Sequence, residues 1–296
     1  MATLHIIGNG FDLAHGLPTS YWDYHQFLMD NGEAWFVDMM ENYFGNMPSL
    51  DNHSQQGNIL WSDLERALGE YDIDDIFDFL HDGHEEDLDH MMQYVGAIDA
   101  ELQYHFMNLK QQFRETFSDW CRSIDVTQAK RKRIPHLDPN GLFLTFNYSD
   151  TLERVYGIPE ANVLHIHGRS SVANSELIVG HNNHATLRRN YEAGFLDMPE
   201  IMNTIASTIN GLLKDQQGII QRYARFFNSL NQVDKVVVYG HSMAPVDLPY
   251  FNAVHNNVSP YARWHFSYYN YDECPKKKEI AHSLGIKLSA NPYFQL

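Results

Sequence analysis

Residues 4–18 read Leu4-His5-Ile6-Ile7-Gly8-Asn9-Gly10-Phe11-Asp12-Leu13-Ala14-His15-Gly16-Leu17-Pro18. A short apolar run ending in Gly-x-Gly is typical of a buried strand that turns sharply into a helix and directs backbone N–H groups towards a phosphate. Leu13 stands where the dinucleotide fingerprint has its third glycine, so the same residues also fit a plain glycine turn. The sequence predicts a first βα unit and leaves both interpretations of its glycines open.

Further apolar runs rich in β-branched and aromatic residues predict a mostly parallel sheet with helices on both faces. These runs are Leu142–Phe146, Val163–His167, Leu177–Val179, Val236–Tyr239 and Trp264–Tyr268. The long interval between the first two strands has helical periodicity instead. We therefore predict an α/β, Rossmann-like domain of residues 1–30 and 134–296. A large helical insertion, residues 31–133, follows its first βα unit.

The composition excludes several classes of protein. The 296 residues carry 38 acidic against 21 basic side chains, a net charge of −17 that disfavours nucleic-acid binding. Two isolated cysteines, Cys121 and Cys274, cannot build a zinc ribbon or a disulfide framework. No apolar run approaches the roughly 18 residues of a membrane helix, and no signal-peptide pattern is present. We expect a soluble, cytoplasmic protein that does not contact membranes.

A second polar motif follows the strand predicted at residues 142–146. It reads Thr145-Phe146-Asn147-Tyr148-Ser149-Asp150-Thr151. Asn147 falls at the carboxyl end of the strand, the edge where open α/β sheets bind ligands. Its amide can both donate to and accept from a ribose hydroxyl or a water molecule. Capping of the next helix is the competing role, for which Ser149 or Asp150 is equally suited.

A third motif, His165-Ile166-His167-Gly168, also lies at a predicted strand end. Strand alternation predicts that both histidine rings lie on one face, with His167 nearer the carboxyl end. A histidine there can act as a general base near neutral pH. With 17 histidines in the chain, a packed structural role is the ordinary alternative.

Small polar residues recur after the other predicted strands as well, in Gly180-His181-Asn182-Asn183 and Gly240-His241-Ser242. Loops that all end in Gly, Asn and His suggest convergence on one crevice, which favours a small-molecule site. A metal site of His181, His184 and His241 is the competing interpretation. No H-E-x-x-H or similar ligand pair accompanies these histidines, and we predict no metal.

The motifs together resemble the bacteriophage abortive-infection family AbiH. The resemblance rests on residues 6–21, on Trp61-Ser62-Asp63-Leu64-Glu65, on residues 145–153 and on His165-Ile166-His167-Gly168. It extends from residue 4 to about residue 250. It implies a protein of phage defence, with a phage protein as a trigger and homo-oligomerisation as an option.

A more distant similarity is to sirtuin-like NAD-binding domains. Gly8-x-Gly10 with Gly16-x-Pro18, Thr145-x-Asn147, His167-Gly168 and Gly240-x-Ser242 occur in the sirtuin order. The resemblance implies catalytic roles for Asn147, which holds water or ribose, and His167, the base on the ribose hydroxyl. It implies a nucleotide pocket of twelve further residues: Gly8, Asn9, Gly10, Phe11, Asp12, Gly16, Thr145, Asp150, Gly168, Gly240, His241 and Ser242.

The departures from sirtuins sharpen the functional prediction. The four zinc cysteines of deacetylating sirtuins are missing, so the resemblance favours hydrolysis of NAD, or of a related nucleotide, over deacetylation. Thr19-Ser20-Tyr21 replaces the sirtuin Asp-Phe-Arg, which predicts an altered nicotinamide pocket. The alternative is a non-catalytic sensor that binds a nucleotide in the same pocket while its insertion, acidic at residues 72–89, engages a phage protein or a partner subunit.

Overall fold

A computed structural model of the chain describes residues 2–43, 64–69, 95–182 and 203–296, except 205, 208 and 209. The chain forms two compact units. The first consists of Met1–Thr19, Cys121–Ile178 and Asp215–Leu296, and the second of Ser20–Trp120 and Val179–Lys214. The acidic segment 72–89 and the motif residues 61–63 lie outside the described residues.

The first unit is built on a parallel sheet of six strands. They are β1 Ala2–Ile7, β2 Leu142–Thr145, β3 Val163–His165, β4 Val233–Tyr239, β5 Arg263–Tyr268 and β6 Leu288–Gln295. Their spatial order is β3-β2-β1-β4-β5-β6, and every neighbouring pair is parallel. The direction of strand addition reverses between β1 and β4, which is the topological switch point where such sheets bind ligands.

The described residues also form α-helices in both units. They are α1 Asn9–Ala14, α2 Tyr21–Asp30, α3 Ala34–Tyr43, α4 Leu64–Ala67, α5 Val95–Ser123, α6 Thr151–Tyr156, α7 Gln216–Arg222, α8 Ala224–Asn228, α9 Leu248–Asn257 and α10 Glu273–Ser283. None of them combines the length and the apolar character that crossing a membrane would need.

The sheet is buried on both faces because its strands alternate between two cores. Leu4 and Ile6 of β1 lie in a large core with Tyr250 and Phe251 of α9. Ile7 belongs to a second core, which also includes Phe11 of α1 and Leu152 of α6. Burial of apolar side chains on both faces is what continuous Val, Ile and Phe runs predict for a parallel sheet.

The second unit contains α2 to α4 and most of α5. Ser20 caps α2 in a capping box with Asp23, which satisfies two of the free N–H groups at the helix start. The Tyr24 ring packs against the Phe117 and Trp120 rings, and its hydroxyl lies 2.7 Å from Thr116 Oγ1. Glu65 of the family motif pairs with the buried Lys214 ammonium at 2.5 Å.

The α/β class and five of the six predicted strand positions are confirmed. The prediction of a strand at Leu177–Val179 is wrong: this segment has no strand pairing, although Ile178 N–H donates to His167 O at 2.8 Å. Strand β6 was not predicted. The domain limits inferred from the sequence, residues 1–30 with 134–296 and residues 31–133, stay a prediction. The two compact units given above are a separate description of the structure.

Candidate functional site

Two glycine loops meet at the switch point of the sheet. Gly8 N–H donates to Tyr239 O at 2.9 Å, and Gly10 N–H donates to Gly240 O at 2.8 Å. A Cβ on Gly240 would lie 2.1 Å from Phe11 N, and Gly240 has φ of +55°. These glycines therefore let the backbones after β1 and β4 touch. The N–H groups of Gly8 and Gly10 are already used in joining the two loops.

The residues after α1 fold back towards its first turn. Gly16, at φ of +78°, reverses the chain, and Leu17 N–H donates to Asp12 O at 3.2 Å. The exposed Asn9 then donates from its amide to Thr19 O at 2.6 Å. The Gly-x-Pro segment is thus held beside α1.

Asp12 is fully buried in α1 and faces the loop after β2. One carboxylate oxygen accepts a hydrogen bond from Ser149 Oγ, which itself lies 2.9 Å from Thr151 Oγ1. The other oxygen, Oδ1, has no hydrogen-bond partner among the described residues. Burial raises the pKa of Asp12 above its ordinary value, against the opposing effects of Ser149, Thr151 and Asn147. Ionisation of Asp12 in this buried position therefore costs free energy. Asp12 does not cap α1, whose N-cap residue is Gly8.

Asn147 lies two residues beyond the end of β2 and is buried, with 6% of its surface exposed. Its N–H donates to Thr145 Oγ1 at 3.1 Å, which gives Thr145 a positioning role. The amide lies close enough to Asp12 for its hydrogen bonding to lower the pKa of that carboxyl, while Asn147 Oδ1 accepts no hydrogen bond from a described residue. The Asn147 side chain is thus not a cap of α6.

His167 lies in an aromatic cluster with only 3% of its surface exposed. Its ring centroid is 5.3 Å from that of Phe146 and 5.6 Å from that of Tyr250. Gly168 follows at φ of +93°, where a Cβ would lie 2.2 Å from Glu176 O. A glycine is therefore required at position 168, because the backbone of Glu176 packs directly against it.

The prediction that His165 and His167 share a face is wrong. His165 Nε2 lies 2.8 Å from Glu153 Oε1 of α6, whereas the His167 ring contacts Phe146 and Tyr250. Strand β3 ends at His165, so strand alternation does not extend to His167.

His241 joins the same aromatic cluster from the end of β4. Its ring centroid is 4.4 Å from that of Phe146 and 4.9 Å from that of Phe251. Met243 N–H donates to His241 Nδ1 at 2.9 Å, so the proton of the neutral ring is on Nε2. That nitrogen lies 3.6 Å from Asp247 Oδ2. Ser242, by contrast, is exposed.

Asp150 belongs to an ion-pair cluster beside the site. Arg169 donates to it from Nε at 2.6 Å, and Ser171 Oγ donates at 3.0 Å. Burial alone would raise the pKa of Asp150, but these hydrogen bonds outweigh it and leave the pKa below its ordinary value. Asp150, Glu153 and His165 have ligand atoms within 4.8 Å of one another, the spacing of a metal site. Arg169 already supplies the cation there, since it also reaches Glu153 Oε1 at 3.8 Å.

The structure brings most of the predicted residues to one edge of the sheet. The backbones of Gly8, Gly10 and Gly240 are in contact there. Asp12, Thr145 and Asn147 form a polar group beside them. The rings of His167 and His241 both pack against the ring of Phe146. Among the described residues, Gly16 and the exposed Ser242 make no hydrogen bond with that polar group. Of the competing metal set, His181 belongs to the second unit and His184 lies outside the described residues.

Sequence reasoning missed several partners of these residues. Ser149 and Thr151 support Asp12, and Asp247 faces His241. Tyr250 and Phe251 supply the aromatic surroundings of the two histidines. The Ser149-x-Thr151 spacing, which begins two residues after Asn147, is a sequence signal that could have predicted a polar contact here.

A fully parallel sheet with this strand order, and polar loops at its carboxyl edge, defines a Rossmann-like α/β protein. The model of the family described as bacteriophage abortive infection AbiH matches residues 4–268, and the chain belongs to that family. Membership implies a role in abortive-infection defence against phage. No curated protein and no solved structure matches the chain. The sirtuin similarity stays a prediction.

Proposed function

We propose that this defence protein binds NAD or a related nucleotide at the carboxyl edge of β1 and β2 and hydrolyses its N-glycosidic bond. The observation that carries the proposal is the buried amide of Asn147 beside the buried Asp12 carboxylate, where Asn147 Oδ1 and Asp12 Oδ1 accept no hydrogen bond from a described residue. Each such buried polar group costs a protein about 1–3 kcal/mol, so the arrangement is expected to be kept for a ligand.

A ribose is the ligand group that these atoms suit best. Each ribose hydroxyl donates one hydrogen bond and accepts others, which matches the donor and acceptor of the Asn147 amide. The Asp12 oxygen can accept from a second hydroxyl. Thr145 holds the Asn147 backbone in place, and the switch point of the sheet is the usual location of a nucleotide in this fold class.

Hydrolysis needs a base and an oriented water beside that ribose. In the proposed reaction, a water oxygen bonds to the anomeric carbon while the carbon–nitrogen bond breaks, and nicotinamide leaves with the bonding electron pair. The water loses a proton, which the His167 ring accepts through the ribose hydroxyl, and the Asn147 amide orients the ribose and the water. Phe146 and Tyr250 fix the ring and exclude bulk solvent around it.

The experiment is an assay of nicotinamide release from NAD by the purified protein, alone and after mixing with lysate of phage-infected cells. Asn147→Ala and His167→Ala are assayed beside the wild type. A positioned base typically contributes about 10²- to 10⁴-fold, so each variant should lose activity in that range while retaining its fold. Activity that both folded variants retain would refute the proposed site.

A nucleotide sensor is the second candidate, and one observation favours it. His167 and His241 are each at least 96% buried among aromatic rings, a setting that also suits purely structural histidines. In that case NAD raises the melting temperature of the wild type, but nicotinamide appears under neither condition of the assay. That result would remove the catalytic roles and keep the pocket.

A further inference from the structure

Four consecutive cations, Lys130-Arg131-Lys132-Arg133, stand out in a chain of net charge −17. The last three line a cleft of about 500 Å³ in the first unit. The apolar and aromatic part of its wall consists of Ile134, Leu137, Pro139 and Tyr156. The cleft was not predicted from the sequence, because the net charge of the whole chain conceals this local basic run.

The basic segment is held in place by its neighbours. Lys130 N–H donates to His15 O at 2.9 Å, and Tyr156 Oη lies 3.1 Å from Lys132 O. Ile134 then anchors the end of the segment in the core that contains Phe11 and Leu152. The backbone that carries the three cations is therefore fixed before any ligand arrives, which lowers the ordering cost of binding.

The three cations lack acidic partners within the described part of the chain. Arg131 lies with its guanidinium carbon 5.7 Å from the centre of the Tyr156 ring, within the range of a cation–π contact. No ion pair joins Arg131, Lys132 or Arg133 to a described carboxylate. A cleft lined by charges of one sign concentrates its field and attracts counter-ions.

From this arrangement we propose that the cleft binds the phosphate chain of a small, multiply phosphorylated molecule of the nucleoside triphosphate type. Two guanidinium groups can each bind phosphate oxygens in pairs, and the lysine ammonium adds a third point charge. The apolar wall around Ile134 and Pro139 can cover a base or sugar attached to that chain. This site is separate from the one at Asn147 and does not depend on it.

The cleft also has a direct connection to α1. Tyr156 Oη lies 2.5 Å from His15 Nε2, and His15 Nδ1 lies 2.6 Å from Phe11 O. Phe11 directly precedes Asp12, which places a ligand on Tyr156 three contacts away from the proposed ribose site.

The test is calorimetric titration of the full chain with sodium tripolyphosphate and, separately, with ATP. We expect the double variant Arg131→Gln/Arg133→Gln to bind tripolyphosphate at least tenfold more weakly than wild type. The control Lys276→Gln/Lys278→Gln removes the same charge from exposed positions of α10 and should bind like wild type. Asn147→Ala should also bind tripolyphosphate normally, which separates this proposal from the ribose site.

Three results would overturn the proposal. The first is that the wild type binds neither tripolyphosphate nor ATP. The second is equal weakening in both double variants, which would show general charge attraction alone. The third is that single-stranded DNA binds more tightly than ATP and loses affinity in Arg131→Gln/Arg133→Gln. That result would identify a nucleic-acid surface instead. In Asn147→Ala, ATP that binds more tightly than tripolyphosphate supports a nucleotide, and equal affinity supports recognition of the phosphate chain alone.

Discussion

The Asp12 carboxyl shows how a single residue can oppose stability. It is buried, one of its oxygens is unsatisfied among the described residues, and burial raises its pKa. Natural proteins keep such costly groups mainly where binding or catalysis requires them. The Ser149 hydroxyl that donates to Asp12 offsets only part of this cost.

Asp12→Asn should therefore raise the melting temperature at pH 7 by a few degrees, since asparagine can keep the hydrogen bond from Ser149 without a buried charge. A raised pKa means that the cost of ionisation grows as pH rises above the ordinary value of 3.8. The gain should thus shrink as pH falls towards 3.8. Thermal unfolding across pH checks this, with the exposed Asp272→Asn as the control. A lower melting temperature for Asp12→Asn at pH 7 would contradict it.

The stability of the fold should also depend on pH through His5, in the centre of β1. Burial lowers its pKa from 6.5 to about 4, and its ring stacks on Phe143. Below pH 6.5 the unfolded chain takes up a proton that the folded chain does not, so stability falls until about pH 4. The lost stability is about 3 kcal/mol. Denaturant unfolding at several pH values should show a flatter profile for His5→Gln and an unchanged one for the exposed His282→Gln. Identical profiles for His5→Gln and wild type would refute this assignment.

At the scale of elements, the contact between the loops after β1 and β4 is the most demanding feature of the sheet. Gly240→Ala would place a methyl group 2.1 Å from Phe11 N at a positive φ. Gly16→Ala also has a positive φ, but its Cβ would meet open space. We expect Gly16→Ala to cost about 1–2 kcal/mol and Gly240→Ala more than about 4 kcal/mol. Urea unfolding of both variants compares these costs. Equal costs would show that the loops can separate freely.

The strands of the sheet were largely predictable, and the two failures have local causes. Strand β6 includes Asn291 and Pro292, which read as a turn, and a proline fits a strand only at an edge, where β6 lies. Leu177–Val179 has strand composition, but it runs back beside His167 through one backbone hydrogen bond from Ile178. Composition does not reveal whether a neighbouring strand is available for pairing.

The candidate site was predictable as a set of strand ends but not as a set of contacts. The parallel order of the strands brings Gly8, Asn147 and Gly240 to one edge, as their positions after apolar runs indicated. The side-chain environment depends on tertiary packing that motifs do not encode. Asp12 therefore meets Ser149, and His167 lies in an aromatic cluster with Tyr250.

For the whole molecule, the AbiH family places the chain in phage defence, and the sheet order supplies a switch point with polar loops. The central claim is that Asn147 binds the ribose of a nucleotide at that edge. The glycines after β1 and β4 support this site by packing. The N–H groups of Gly8 and Gly10 already donate hydrogen bonds to Tyr239 O and Gly240 O.

The most direct test of this claim is calorimetric titration of NAD into wild type, Asn147→Ala and the control Asn162→Ala. The control removes a half-buried amide from the turn before β3. We predict that NAD binds wild type and Asn162→Ala alike and binds Asn147→Ala at least tenfold more weakly, with no fall in its melting temperature. Equal NAD affinity in all three proteins, or no NAD binding by wild type, would contradict the claim.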